Sequence, residues 1–237
     1  MQTKDYLRIT AATACRPHEQ EATLTALLIL QGFVMFVATP VAAIRPAGHL
    51  LLDVSRILFA AVCSLALTER RVVRIALLTV LALPGGAHAI FHDFGLTRGT
   101  LHQVISLTSF ILTTLVTGLV IYRLFGPGQV TVHRLQGAIF VYLNVAVLFA
   151  IAFDVVEMFC PGSIRLIAGG LIPTVAAQRL AELSYFSMTT ITSTGYGDLI
   201  PVHPFARSLA NLEAAFGVLF PATFVARLVA LHLAQSD

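Results

Sequence analysis

Residues Thr189 to Pro201 read TTITSTGYGDLIP, and within them Gly195 and Gly197 stand two apart. A short strand whose carbonyls all point the same way must hold alternate residues at left-handed backbone angles, which glycine alone adopts without cost. Stacked rings of such carbonyls can replace the water around a dehydrated monovalent cation. The chain has a single GYG motif, and one chain cannot close a ring, so it supplies one part of each.

The neighbours of the glycines divide the remaining work. Ser193 takes the innermost position, where its hydroxyl can form the lowest oxygen ring. The Thr194 side chain points away from the axis into the packing behind the strand, where its hydroxyl can make an extra hydrogen bond. Tyr196 acts as a spacer, with Tyr185 and Phe186 as aromatic partners, and Asp198 sits at the outer mouth, where a carboxylate attracts cations. The run from Ala176 to Ile191 reads as a short helix ending in Thr189 and Thr190, followed by Thr192. Its C-terminal end carries partial negative charge and would aim it at the cation path.

A loop of this kind needs elements to hold it. Of the 237 residues, 57% are hydrophobic and 11% charged, and the mean hydropathy is +0.85. Soluble domains carry about 25% charge, so the composition places the chain in a membrane. Apolar segments at 22–44, 49–68, 72–92, 101–124, 134–159 and 205–233 are each long enough to cross a hydrocarbon core of about 30 Å as a helix. The expected fold class is all-α and integral to the membrane, with six spanning helices. Between the fifth and sixth, residues 160–204 contain Pro161, Gly162, Gly169, Gly170 and Pro173 ahead of the short apolar run, and are too broken to span. A short helix with a glycine-bearing return strand reads as a re-entrant loop, which survives at membrane depth only where it is buried or lines water.

The net charge of +3 comes mainly from arginines in the breaks between segments, which points to membrane orientation and not to a nucleic-acid partner. With the N-terminus inside, nine Lys and Arg fall on the inner side and five on the outer, with Arg56 within the second helix. That bias favours both termini in the cytoplasm and brings residues 160–204 in from outside. Residues 1–21 hold Lys4, Asp5, Arg8, Arg16, Glu19 and Glu21, and read as a cytosolic tail, not a cleaved signal. Cys15, Cys63 and Cys160 show no paired or metal-ligand spacing and read as small apolar fillers.

On TTITSTGYGDLIP and the following PVHPFARSLANLEAAFGVLFPATFVARLVAL, residues 134–233 resemble the two-helix pore module of the ion-channel superfamily, in the form found in small prokaryotic potassium channels. The resemblance covers somewhat under half of the chain. It implies a homotetramer in the cell membrane, in which three identical subunits join this one around one axis. It also implies passive conduction of potassium ions through a selectivity filter of Ser193, Thr194, Gly195, Tyr196 and Gly197, with no cofactor beyond the conducted ions. Such channels usually carry Thr at the position of Ser193 and Val at that of Thr194. The alternatives are a subunit of a potassium transporter, whose chains usually hold four degenerate loops, and a weakly selective monovalent cation channel. No HExxH, nucleotide loop or nucleophile elbow marks an enzyme.

In the last segment, Gly217 falls where the resemblance places a hinge glycine, and Pro221 removes a helical hydrogen bond one turn later. The two can form a gate, and a tight helix crossing explains the same residues. Glu213 lies one turn before Gly217, where an unpaired carboxylate costs about 2.5–3.5 kcal/mol. It either faces a cavity as one of a ring of carboxylates or hydrogen-bonds the short helix near Asn211 or Thr189.

The first four segments, 22–124, read as a membrane domain that does not sense voltage. A voltage sensor needs arginines every third residue on its fourth helix, and LHQVISLTSFILTTLVTGLVIY has none. Asp53 and Arg56 can pair on one helix face, and His88 and His92, beside Asp93, read as interfacial. Asp154 and Glu157 either add charge round the mouth or pair locally with Arg165 or Arg179. The sequence runs four residues past Leu233, so no ligand-binding domain is expected behind the last span.

Overall fold

The structure, a computed structural model, describes residues 17–45, 48–67, 100–124, 132–167 and 169–233. The first apolar segment folds as α1 (Pro17–Phe33), one π-helical turn (Val34–Ala38) and α2 (Thr39–Ile44). Pro40 has no N–H for the carbonyl four residues back, and its ring crowds that carbonyl, so the helix widens just before it. Thr39 absorbs the change by donating both its N–H and its hydroxyl to the Val34 carbonyl, the hydroxyl at 2.8 Å.

Then follow α3 (Gly48–Leu67), α4 (Thr100–Leu124) and α5 (Val132–Phe159). α1 begins five residues ahead of the expected 22, with a proline at its first position, where a missing N–H costs nothing. The expected span 72–92, with His88, His92 and Asp93, lies outside the described residues, as do the side chains of Asp53 and Arg56. Among the described residues, Thr25–Ile44, Leu135–Phe159 and Pro204–Arg227 are long and apolar enough to cross a membrane, and Ser106–Tyr122 is a shorter apolar helix.

After α5 come β1 (Ile164–Leu166), α6 (Ala176–Ile191), β2 (Leu199–Pro201) and α7 (Pro204–Leu233). At 1.5 Å per residue α6 is about 24 Å long, too short to cross, whereas α5 and α7 reach about 42 and 45 Å. The two strands pair antiparallel, Ile164 with Pro201, Arg165 with Ile200 and Leu166 with Leu199. They therefore tie the segment before α6 to the segment after the TTITSTGYGDLIP glycines. Glu157 at the end of α5 shapes this turn. Its Oε1 accepts the Gly162 N–H at 2.6 Å, and its Oε2 accepts the Ser163 hydroxyl at 2.7 Å and the Ile164 N–H at 3.2 Å.

α5 lies at the centre of the packing, against α1, α4, α6 and α7. Its Phe140, Val141, Val145, Ala146, Ala150 and Phe153 are buried, and the same apolar cluster takes in Leu27, Cys63, Val116, Leu183 and Phe224 from the surrounding helices. Phe59 stacks on Phe140 at 6.1 Å between centroids, and Phe153 meets Phe186 edge-on at 4.9 Å. Lipid gives helices little hydrophobic drive to associate, so close packing and interhelical hydrogen bonds hold them. Asn144 donates to Thr117 across α4 and α5, and Thr25 to Gln136 at 3.1 Å across α1 and α5. A smaller cluster, Ala38, Ala42, Leu52 and Ala177, seats the start of α6 on α2 and α3.

Candidate functional site

α6 ends where its hydroxyl side chains turn back on its own carbonyls. Thr189 and Thr190 both donate to the Phe186 carbonyl, at 2.9 and 2.8 Å, and Thr192 donates to that of Met188 at 2.6 Å. The chain then reverses. The Ser193 N–H bonds the Thr190 carbonyl at 3.0 Å, while the N–H groups of Thr194 and Gly195 share that of Thr189 at 2.8 and 3.1 Å. The Thr189 and Thr190 carbonyls near the end of the helix are thereby spent on the strand that leaves it.

Along that strand the backbone alternates. Ser193, Gly195 and Gly197 have φ of 56°, 53° and 79°, with Thr194 and Tyr196 between them at negative φ. Gly195 and Gly197 hold the left-handed angles expected of them. Ser193 holds a third, which costs a residue with a Cβ about 1–2 kcal/mol. The alternation over five residues is the geometry that lets successive carbonyls face one side. The Thr194 hydroxyl lies 2.9 Å from that of Thr192, and because the Thr192 proton serves Met188, Thr194 is the donor. This is the extra hydrogen bond that valine could not make.

At the outer end, Tyr196 stacks on Tyr185, with rings 6.3 Å apart and 3° from parallel. Phe186 is not its partner: it is buried against Phe153. The Tyr185 hydroxyl donates to Asp198 Oδ2 at 2.8 Å, and the Leu199 N–H to Oδ1 at 3.0 Å. The bond to Asp198, helped by desolvation and by the carboxylate's charge, pushes the Tyr185 pKa up to about 12. The Asp198 carbonyl accepts the Ile167 N–H at 2.9 Å, so Asp198 is held by its side chain, its backbone and the adjoining sheet.

The base of α6 is gripped from two sides. On α5, the Tyr142 hydroxyl donates to the Ile191 carbonyl at 2.9 Å, and Ser187 Oγ lies 2.6 Å from the Ala146 carbonyl. On α7, Glu213 is fully buried and bonded to Ser187. Of the two expectations for Glu213, the contact with the short helix is what the structure shows. The contact runs through Ser187, not Asn211 or Thr189, and the side chain is closed off from solvent within the subunit. Gly217 sits against the same helix end: a Cβ there would lie 1.9 Å from the Ile191 oxygen and 2.7 Å from its carbon. This is the tight helix crossing. α7 nevertheless runs unbroken through Gly217 and Pro221, although Pro221 cannot give the Gly217 carbonyl its helical hydrogen bond.

The start of α6 is held by charge. Arg179 Nε lies 2.9 Å from Asp154 Oδ1, and Ser106 on α4 donates to Asp154 Oδ2 at 3.1 Å. Asp154 therefore pairs locally with Arg179, and Glu157 caps the turn at Gly162, Ser163 and Ile164. Ser187 and Tyr142 were not singled out from the sequence. For Tyr142 the signal is a polar group in a mostly apolar helix, which in lipid must find a partner; Ser187 is one of several hydroxyl residues in α6, and nothing in the sequence marks it out.

Residues 163–232 match the family model described as an ion channel. Over 82 residues the chain is 35% identical to the inward rectifier potassium channel Kirbac3.1 of Paramagnetospirillum magnetotacticum. That match takes in 33% of this chain and 22% of the relative, so the chain spans about a fifth of the relative's length. No solved structure matches the chain. The segment that folds around TTITSTGYGDLIP thus matches an ion-channel domain and is similar over part of its length to a prokaryotic potassium channel.

Proposed function

We propose that the chain is one subunit of a homotetrameric, potassium-selective channel that conducts passively through a filter made of Ser193, Thr194, Gly195, Tyr196 and Gly197. The observation that carries this reading is the alternation of left-handed angles at Ser193, Gly195 and Gly197, directly after a helix whose end faces the strand. Four such strands around one axis form stacked carbonyl rings, and ions pass by displacing one another between sites. Ser193 contributes the innermost oxygen and Asp198 the cation-attracting mouth. Within a single subunit, Tyr196 is 72% exposed, and Leu212, Val218, Leu219, Val225 and Val229 line an uncovered face of α7. Three further copies and the surrounding lipid cover these surfaces.

In this reading the protein is a multi-pass membrane protein with six spanning helices, α6 as the re-entrant pore helix and both termini in the cytoplasm. α7 is the inner helix. Gly217 and Pro221 are the place where α7 bends if it opens, because the hydrogen bond between them is already missing. The four-helix domain braces the pore without sensing voltage. The test is flux from liposomes holding purified protein: potassium efflux that barium blocks and sodium does not match is expected. Equal sodium and potassium flux would replace the reading with that of a weakly selective cation channel.

A further inference from the structure

Among the described residues, Glu213 is the one acidic or basic side chain that is buried, and the proposed ion path gives it nothing to bind. Its surroundings fix its proton. Ser187 Oγ touches both Glu213 Oε1 and, at 2.6 Å, the Ala146 carbonyl. A serine hydroxyl carries one proton and a backbone carbonyl none. The Ser187 proton therefore serves Ala146, and the contact with Glu213 takes its proton from the carboxyl group. With the carboxyl ionised, one of the two contacts would set lone pair against lone pair.

The second carboxyl oxygen points the same way. Oε2 has no hydrogen-bond partner among the described residues. An ionised group with a single hydrogen bond at membrane depth is far costlier than a neutral acid whose carbonyl oxygen lacks a donor, and under-satisfied carbonyls are the commoner exception in proteins. The titratable group that faces Glu213 from α5 is Tyr142, and its proton is committed to Ile191. α6 offers Ser187.

We propose that Glu213 is a positioning residue that keeps its proton and, as a donor to Ser187, forms a relay from α7 through α6 to α5 that holds the base of the filter strand. The relay meets α6 one turn before Ile191, where Tyr142 and Gly217 grip the same helix end. A shift of α7 therefore pulls on the helix whose Thr189 and Thr190 carbonyls hold Ser193, Thr194 and Gly195. The effect on conduction rests on the proposed pore reading; the proton count does not.

Two measurements on the full chain in lipid test this separately. Infrared spectra at neutral pH should show a protonated carboxylic-acid band that disappears in Glu213→Gln and shifts in Ser187→Ala. A wild-type minus Glu213→Gln difference without that band overturns the proposal, whether or not the protein conducts. In flux assays, Glu213→Gln should stay within about twofold of wild type, because its amide offers the same donor and acceptor, and Glu213→Met should lose about tenfold, the order expected when a buried hydroxyl loses its partner. A Glu213→Gln protein as impaired as Glu213→Met also overturns it. If Glu213→Met fails to assemble, Glu213→Gln and the band still decide. A wild type that passes no ions refutes the pore reading and leaves the proton assignment to the spectrum.

Discussion

Replacing Gly217 with alanine adds one methyl group at the point where α7 meets the end of α6. The added carbon would lie 1.9 Å from the Ile191 oxygen and 2.7 Å from its carbonyl carbon. A carbon and a carbonyl oxygen approach no closer than about 3.3 Å in ordinary contact, so the helices must part by about 1.4 Å. The obstacle is backbone at a helix end already bonded to Tyr142, and no side chain can rotate out of the way. Overpacking of this kind costs about 1–3 kcal/mol after relaxation, and for a chain of this length each kcal/mol lowers the melting temperature by about 2–4 °C. The assay is thermal melting of the purified assembly, read by size-exclusion chromatography after heating, with flux measured on the unheated sample. A packing glycine predicts loss of both stability and flux. A Gly217→Ala protein with wild-type stability and only slowed opening would refute the packing argument and leave a pure hinge.

Other perturbations separate the remaining parts. Gly195→Ala places a Cβ at φ 53°, a strain of about 1–2 kcal/mol, and should abolish flux while cross-linking still shows the wild-type oligomer. Asp154→Asn removes the charge that pairs with Arg179 at 2.9 Å and should cost about 1–3 kcal/mol, seen as a lower melting temperature, with Arg179→Met costing less in the Asp154→Asn background than in wild type. Tyr185→Phe removes the bond to Asp198. Because that bond raises the phenol pKa to about 12, its contribution is complete below the usual tyrosine value of about 10 and is lost as pH rises through the raised value. The difference in melting temperature between Tyr185→Phe and wild type should therefore stay constant from about pH 7 to 10, and a difference that shrinks within that window would contradict the assignment.

The left-handed glycines of the strand after α6 were legible because their requirement is written in residue type: glycines two apart admit one kind of backbone, and α6 runs over the same residues, Ala176–Ile191, that the sequence pattern marks. Ser193 was not legible as a third left-handed residue, since nothing in a serine announces it. The hold on α6 was half legible. Glu213 in an apolar helix demands a partner, but which helix supplies it depends on how α5, α6 and α7 cross, and apolar periodicity does not encode crossings. Gly217 read first as a hinge, with a tight crossing as the alternative, and only its distance to Ile191 brings out the crossing. The π-turn before Pro40 follows from a rule about proline, yet its form depends on Thr39 having a hydroxyl to spare.

Selectivity for potassium through the Ser193 to Gly197 strand is measured by the reversal potential of the purified protein in a planar bilayer, with potassium on one side and sodium on the other. At about 59 mV per tenfold preference, a hundredfold preference for potassium displaces the potential by about 118 mV. A displacement of that order toward the potassium equilibrium potential is expected, lost in Gly195→Ala together with the current, whereas a wild type that conducts without selecting shows none. A wild-type current that reverses near zero would contradict potassium selectivity.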